Sequence, residues 1–138
     1  MPFKNPAVID GESRAKSFTV NVMLDGTSGQ TAANYDRFWI APAKCVIDTV
    51  DASWSTASSS GTLQVEKVAS GTAQGSGTNL LSSTISTAGS ADTTTAGTLS
   101  TTDATVELAV GNALALVNGG TLTSLVNLHV TVGLHWIP

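Results

Sequence analysis

Charge is scarce in this 138-residue chain: Lys, Arg, Asp and Glu together make up 12% of it, against roughly 25% in a typical soluble domain. The net charge is −4, and Lys and Arg never cluster beyond a scattered pair. Proteins that grip phosphates present a basic face, so the sequence argues for no nucleic-acid partner. Long apolar runs are missing too. The longest, Ala113 to Val117, falls far short of the roughly 20 residues that span a bilayer as a helix, and no membrane partner is expected. The opening residues Met1-Pro2-Phe3-Lys4-Asn5-Pro6 hold no apolar stretch of the kind a secretory signal needs. With one cysteine, Cys45, no internal disulfide can form, which fits a chain made in a reducing cytoplasm. Helical periodicity is absent throughout.

What the chain has in quantity is small hydroxyl residues and glycine. Ser and Thr number 36 and Gly 13, while hydrophobic residues still reach 41%. Thr suits a pleated surface, and Ser and Gly suit turns. Ordered alternation of the apolar residues separates this pattern from a disordered low-complexity segment. One domain is the expectation at this length, and its core can form without disulfides or metal.

Residues 1–16 break any period with Pro2, Pro6, Gly11 and five charges. They read as an extended arm, either a frayed terminus or a segment that orders along a neighbouring subunit. Residues 17–138 read as the folded domain. From Ser17 the period is two, with Phe18, Val20, Val22 and Leu24 on one face. Asp25-Gly26 and Ser28-Gly29 mark a turn, and a strand is predicted from Tyr35 to Ala41, ended by Pro42. Val46, Val50, Ala52 and Trp54 are assigned to one face of the next strand, with Asp48 out of place among them. A Ser/Gly turn at 58–61 then leads into Leu63 to Val68, and the two strands read as a hairpin.

Brief strands are predicted around Leu80-Leu81, Ile85 and Leu99. Alternation returns at Ala104, Val106, Leu108 and Val110. After the Gly111-Asn112 turn comes a short strand from Ala113 to Val117. The last segment alternates most clearly: Leu122, Val126, Leu128, Val130, Val132, Leu134 and Trp136 all fall on even positions. Most strands run five or six residues, so this one should bend, with Gly133 able to host a bulge, or run beyond its own sheet. Eight or nine strands punctuated by Gly, Ser and Asn predict an all-β fold, a β-sandwich of jelly-roll type with an extended N-terminal arm.

Residues able to do chemistry are few, and the reading is that this is not an enzyme. His129 and His135 share a strand face but stand roughly 20 Å apart, too far for one metal. Cys45 reads as a small buried hydrophobe rather than a nucleophile. Asp48 and Asp51 are an odd number of residues apart, which places them on opposite strand faces; Asp92 and Asp103 sit in turn-like contexts. The Gly-rich segment 71–78 lacks the Lys of a phosphate-binding loop. No catalytic, cofactor-binding or metal-binding residues are assigned, and no cofactor is expected.

The bulky apolar residues ask for a different role. Phe38-Trp39-Ile40 puts three of them in succession on a strand, where neighbours face opposite sides, so both faces need cover. Trp136-Ile137 raises the same question near the end of the sequence. Either a second layer of the fold or a partner protein covers them. Phe38, Trp39, Ile40, Trp136 and Ile137, with Phe3 and Lys4 of the arm, are therefore the candidate protein-interface residues.

Several stretches also carry a resemblance. Phe38-Trp39-Ile40-Ala41-Pro42, Leu63-Gln64-Val65-Glu66-Lys67, Gly75-Ser76-Gly77-Thr78-Asn79-Leu80-Leu81 and Thr98-Leu99-Ser100 resemble the head decoration, or cement, proteins of tailed bacteriophages. So do Leu108 to Val117 and Gly120 to Leu125. These are strand and turn patterns covering about everything after the arm, and the family has no active-site residues to transfer. The resemblance implies a virion protein, made in the bacterial host cytoplasm, on the outer capsid surface. Its partners would be the major capsid protein of an HK97-type shell and itself, as a homo-oligomer, with a dimer favoured over a trimer. The competing expectation is a carbohydrate- or receptor-binding β-sandwich module of a virion fibre. Its marker would be an exposed aromatic beside Asp and Asn, for which Tyr35-Asp36 and Trp54 are the hints.

Overall fold

The computed structural model describes residues 17–24 and 37–138. The expected arm with Phe3 and Lys4, the turn at 25–29, and Tyr35 and Asp36 lie outside the described residues. The described chain is an all-β sandwich of two antiparallel sheets. Its strands are β1 (Ser17–Leu24), β2 (Trp39–Ile40), β3 (Cys45–Ser53), β4 (Thr62–Val68), β5 (Thr78–Asn79), β6 (Ile85–Ser86), β7 (Thr95–Ala96), β8 (Glu107–Leu108), β9 (Ala113–Gly119) and β10 (Leu128–Trp136). One helical turn, α1 (Asp103–Val106), precedes β8.

The first sheet runs β1-β10-β3-β7, with β8 also on β3. The second runs β2-β9-β4-β5, with β6 also on β4. The core between them takes Ile47, Val50, Ala52, Leu128, Val130, Val132 and Leu134 from the first sheet, Leu63, Val65, Leu114 and Leu116 from the second, and Trp54 from just past the end of β3. β1 behaves as its alternation predicts: Phe18, Val20 and Val22 are half-buried against the core, while Met23 points out at 63% exposure.

β3 and β4 do not form the predicted hairpin. They belong to different sheets, and the segment between them crosses the sandwich. The crossing is held by non-local bonds: Ser55 N–H donates to Val126 O at 3.0 Å, Ser58 N–H to Thr87 O at 2.9 Å, and Thr87 N–H to Gly61 O at 2.9 Å. The Ser58 hydroxyl meets Thr87 Oγ1 at 2.8 Å in a buried pair. A Ser/Gly-rich turn can serve either connection. The choice fell to the long pairings β3–β10 and β4–β9, which a local reading does not see.

A bulge corrects the face assignment along β3. Gly133 of β10 pairs with Thr49, but the next residue, Leu134, pairs with Ile47. Asp48 is therefore the extra residue on β3, and it resets the alternation there. Before it, Cys45 and Ile47 face the core; after it, Val50 and Ala52 do, and Val46 is left half-buried off that face. Along β10 the alternation is unbroken from Leu128 to Leu134. The irregularity was expected at Gly133, and it falls opposite that residue. A Cβ on Gly133 would lie 2.5 Å from Thr49 Oγ1, so the bare backbone there makes room for the bulged strand.

Two other predicted elements differ. Residues 103–106 are a helical turn, not a strand, although Ala104 and Val106 fit a period of two. The Lys67 ammonium, reaching in from β4, holds this turn in place: it donates to the carbonyl oxygens of Ala104 and of Glu107, the latter at 2.8 Å. The long final strand begins at Leu128, because Ser124 and Asn127 take left-handed backbone conformations (φ 73° and 52°). Leu122 and Leu125 are both buried in that turn, so the even-position pattern upstream of Leu128 came from a turn and not from a strand.

Candidate functional site

Three aromatic rings meet at one end of the sandwich. Phe18 on β1 and Trp136 at the end of β10 stack with centroids 4.3 Å apart and planes at 19°. Trp39 of β2, from the other sheet, closes the group at 5.7 Å from Phe18 and 6.4 Å from Trp136. The strand register explains the meeting. Phe18 pairs with Leu134, so Trp136 is its diagonal neighbour on the same face, within aromatic reach. All three rings are half-buried, so the group closes the end of the core and still presents apolar surface outward.

The candidate interface residues distribute around this group. Phe38 and Trp39 pack half-buried against the core, whereas Ile40 remains 59% exposed. Trp136 also packs against the core, and Ile137 is half-buried, its N–H bonded to Lys44 O at 3.1 Å. The apolar run of residues 38–40 is thus partly covered by the fold and partly open. Sequence reasoning missed Phe18 as a member. Its place in a plain alternating strand gave no sign that β1 would lie beside the strand carrying Trp136.

The titratable residues sit apart from this patch or are engaged. Cys45 is fully buried, and desolvation pushes its thiol up to about 11, which withholds the thiolate that nucleophilic chemistry requires. His135 contacts the Asp48 carboxylate through Nδ1, at 2.9 Å and 2.8 Å from its two oxygens. The bulge makes this contact by turning Asp48 outward to the exposed face, so Asp48 and Asp51 share that face. Their predicted placement on opposite faces fails because the two-residue period is interrupted between them. Among the described residues no group of three or more His, Cys, Asp or Glu could hold a metal.

The Gly-rich loop after β4 has an internal anion. Glu66 is completely buried, and its carboxylate accepts the N–H of Gly75 at 2.6 Å and of Gly77 at 3.0 Å. These are the backbone donors that a phosphate-binding loop would offer to a ligand. Gln74 Nε2 donates to Leu116 O, and the loop folds over β4 and β9, whose residues from Leu63 to Glu66 and from Ala113 to Leu116 are buried without interruption. The sequence signal was a Glu inside an apolar strand followed by the spaced Gly71, Gly75 and Gly77, a carboxylate awaiting donors.

The hints for a glycan-type aromatic platform do not assemble at Trp54. That ring is 2% exposed and donates Nε1–H to Gly89 O at 3.3 Å; Tyr35 and Asp36 lie outside the described residues. The sequence matches no protein-family model, and no curated protein shows significant similarity to it.

Proposed function

We propose that this chain is a structural virion protein that binds the outside of an HK97-type phage capsid and cements the contacts between capsomers of the major capsid protein. The observation that carries the reading is the aromatic end of the sandwich. Phe18, Trp39 and Trp136 come from both sheets, are half-buried, and lie in the same region as exposed Ile40. Aromatic residues anchor protein interfaces more often than any other apolar type. The scarcity of charge suits binding that depends little on salt.

Within this reading the sandwich is a jelly roll. Its support is the connectivity: β1, β3, β7, β8 and β10 belong to one sheet and β2, β4, β5, β6 and β9 to the other, so the chain passes repeatedly from one sheet to the other, as between β3 and β4 and between β9 and β10. The protein acts on the outer capsid surface as a homo-oligomer, a dimer in preference to a trimer, with residues 1–16 as an arm to a neighbour. It carries no cofactor and catalyses no reaction. Binding the assembled shell and not its separated subunits stabilises the shell by mass action, and repeated copies on one lattice add avidity.

The test is co-sedimentation of purified protein with expanded, undecorated heads of a phage that encodes it or a relative, alongside light scattering on the protein alone. Saturable binding that raises the heads' resistance to heat supports the reading, and Trp39→Ala should weaken it. A folded protein that stays monomeric and fails to bind the heads would overturn it.

A further inference from the structure

The end of the first sheet away from the aromatic group is polar and open. Two adjoining clefts there, of about 350 Å³ and 120 Å³, share Ser53 and Thr94. The larger is bordered by Asp92 and Asn127, the smaller by Asp51 and His129. His129 and Trp136 lie on the same strand, about 23 Å apart along it, so this surface and the aromatic patch occupy opposite ends of the sandwich. We propose that these joined clefts bind a neutral saccharide through its hydroxyl groups.

The side chains at the rim are unspent. Among the described residues, the carboxylates of Asp51 and Asp92 and the imidazole of His129 have no hydrogen-bond or ion-pair partner. Asn127 uses one amide hydrogen, donated to Ser55 Oγ at 3.2 Å, and its carbonyl oxygen is open. A carboxylate accepts from two neighbouring hydroxyls at once, and an amide and an imidazole can both donate and accept. Few ligand classes other than a polyol offer that density of matching groups over a few hundred Å³.

The lining also disfavours the other classes. It contains no Lys or Arg, so its two carboxylates would repel phosphate, sulfate and acidic sugars. The apolar side chains at its floor, Ala52 and Trp54, are 1% and 2% exposed, which leaves no pocket for the apolar anchor of a peptide. Metal binding is disfavoured because the acids and His129 do not come together as a group of three. What remains is a shallow, uncharged-ligand site of hydroxyls and carboxylates. Without an aromatic face to stack on, its affinity should be in the millimolar range.

The inference does not rest on the capsid reading, and its test separates the two. Titrate the full-length ¹⁵N-labelled protein, in buffer containing EDTA, with methyl α-mannoside, methyl β-galactoside and maltose. Saturable shifts in the amides of residues 92–94 and 127–131 are expected with at least one sugar. Asp92 has a left-handed backbone (φ 53°), which Asn tolerates, so Asp92→Asn removes the charge and keeps the turn. It should weaken sugar binding about tenfold, the loss of one charge-assisted hydrogen bond, with the melting temperature and co-sedimentation with heads unchanged. No saturable shift with any of the three sugars, shifts confined to other residues, or an undiminished response in Asp92→Asn would overturn it.

Discussion

Phe18 and Trp136 stack at 4.3 Å although their strands pair with Phe18 facing Leu134. The contact is a diagonal one across β1 and β10, and Trp39 joins it from the other sheet. One small group of rings therefore ties both sheets together at the end of the sandwich that carries the candidate interface. Its stability role and its binding role are separable by experiment.

Truncating either ring of the stacked pair should destabilise the fold only moderately, because both are half-exposed. Phe18→Ala and Trp136→Ala are each expected to cost about 2 kcal/mol, with a coupling of about 1 kcal/mol in the double-mutant cycle. Urea unfolding of the four proteins measures this. A coupling of zero would mean the rings do not touch in solution.

Glu66 and Gly77 set a second expectation. A Cβ at Gly77 would sit 2.4 Å from the backbone oxygen of Lys67 and 2.9 Å from Glu66 Oε2, whereas one at Gly89 would meet nothing closer than 3.6 Å. Gly77→Ala should therefore cost more than about 2 kcal/mol through backbone displacement, while Gly89→Ala stays within about 0.5 kcal/mol. Glu66→Ala should cost about 2 kcal/mol, since it removes the buried carboxylate that accepts the N–H groups of Gly75 and Gly77. Hydrogen exchange at those two amides should accelerate in that variant even below the unfolding transition.

Deleting Asp48 should be tolerated. Without it, Cys45, Ile47, Val50 and Ala52 follow one uninterrupted alternation, and the register against β10 loses its shift at Gly133 and Leu134. The variant gives up the contact with His135, whose two partners are 37% and 43% exposed, a surface pair of little weight. Deleting Val50 instead also removes the bulge, but it sets the Thr49 hydroxyl in Val50's core position, so that protein should be less stable by about 2 kcal/mol. Circular dichroism and thermal melts of the two deletions distinguish these outcomes.

Cys45 should resist alkylation in the native state. With its thiol pushed up to about 11, the thiolate fraction at pH 8 is about one in a thousand, and the side chain has no exposed surface. Iodoacetamide labelling should then track global unfolding across a urea series. Rapid labelling in native buffer would show that the β3–β8 edge opens locally.

Much of the architecture was legible in the residues. Strict alternation announced β1 and β10, and it survives in β10 because one face is wholly core. Gly111-Asn112 announced its turn, with Gly111 at φ +84°, and Cys45 proved to be the small buried residue it read as. The failures have one cause. The hairpin of β3 and β4, the strand character of residues 104–106 and the face of Val46 were each inferred from neighbours in sequence. Their actual settings involve distant partners: β10 and β9 pair with β3 and β4, the Lys67 ammonium bonds the carbonyls of Ala104 and Glu107, and Asp48 bulges out of the β3–β10 ladder.

The candidate site divides in the same way. The sequence by itself determined an all-β chain with little charge and with bulky apolar residues at 38–40 and 136–137, because a two-residue period and composition are local properties. Only the tertiary structure decided that Phe18 joins Trp39 and Trp136, that Glu66 fills its own Gly-rich loop, and that Asp51, Asp92, Asn127 and His129 border one polar surface. Those groupings depend on which strands pair and in what register, which is set by the packing of the whole chain.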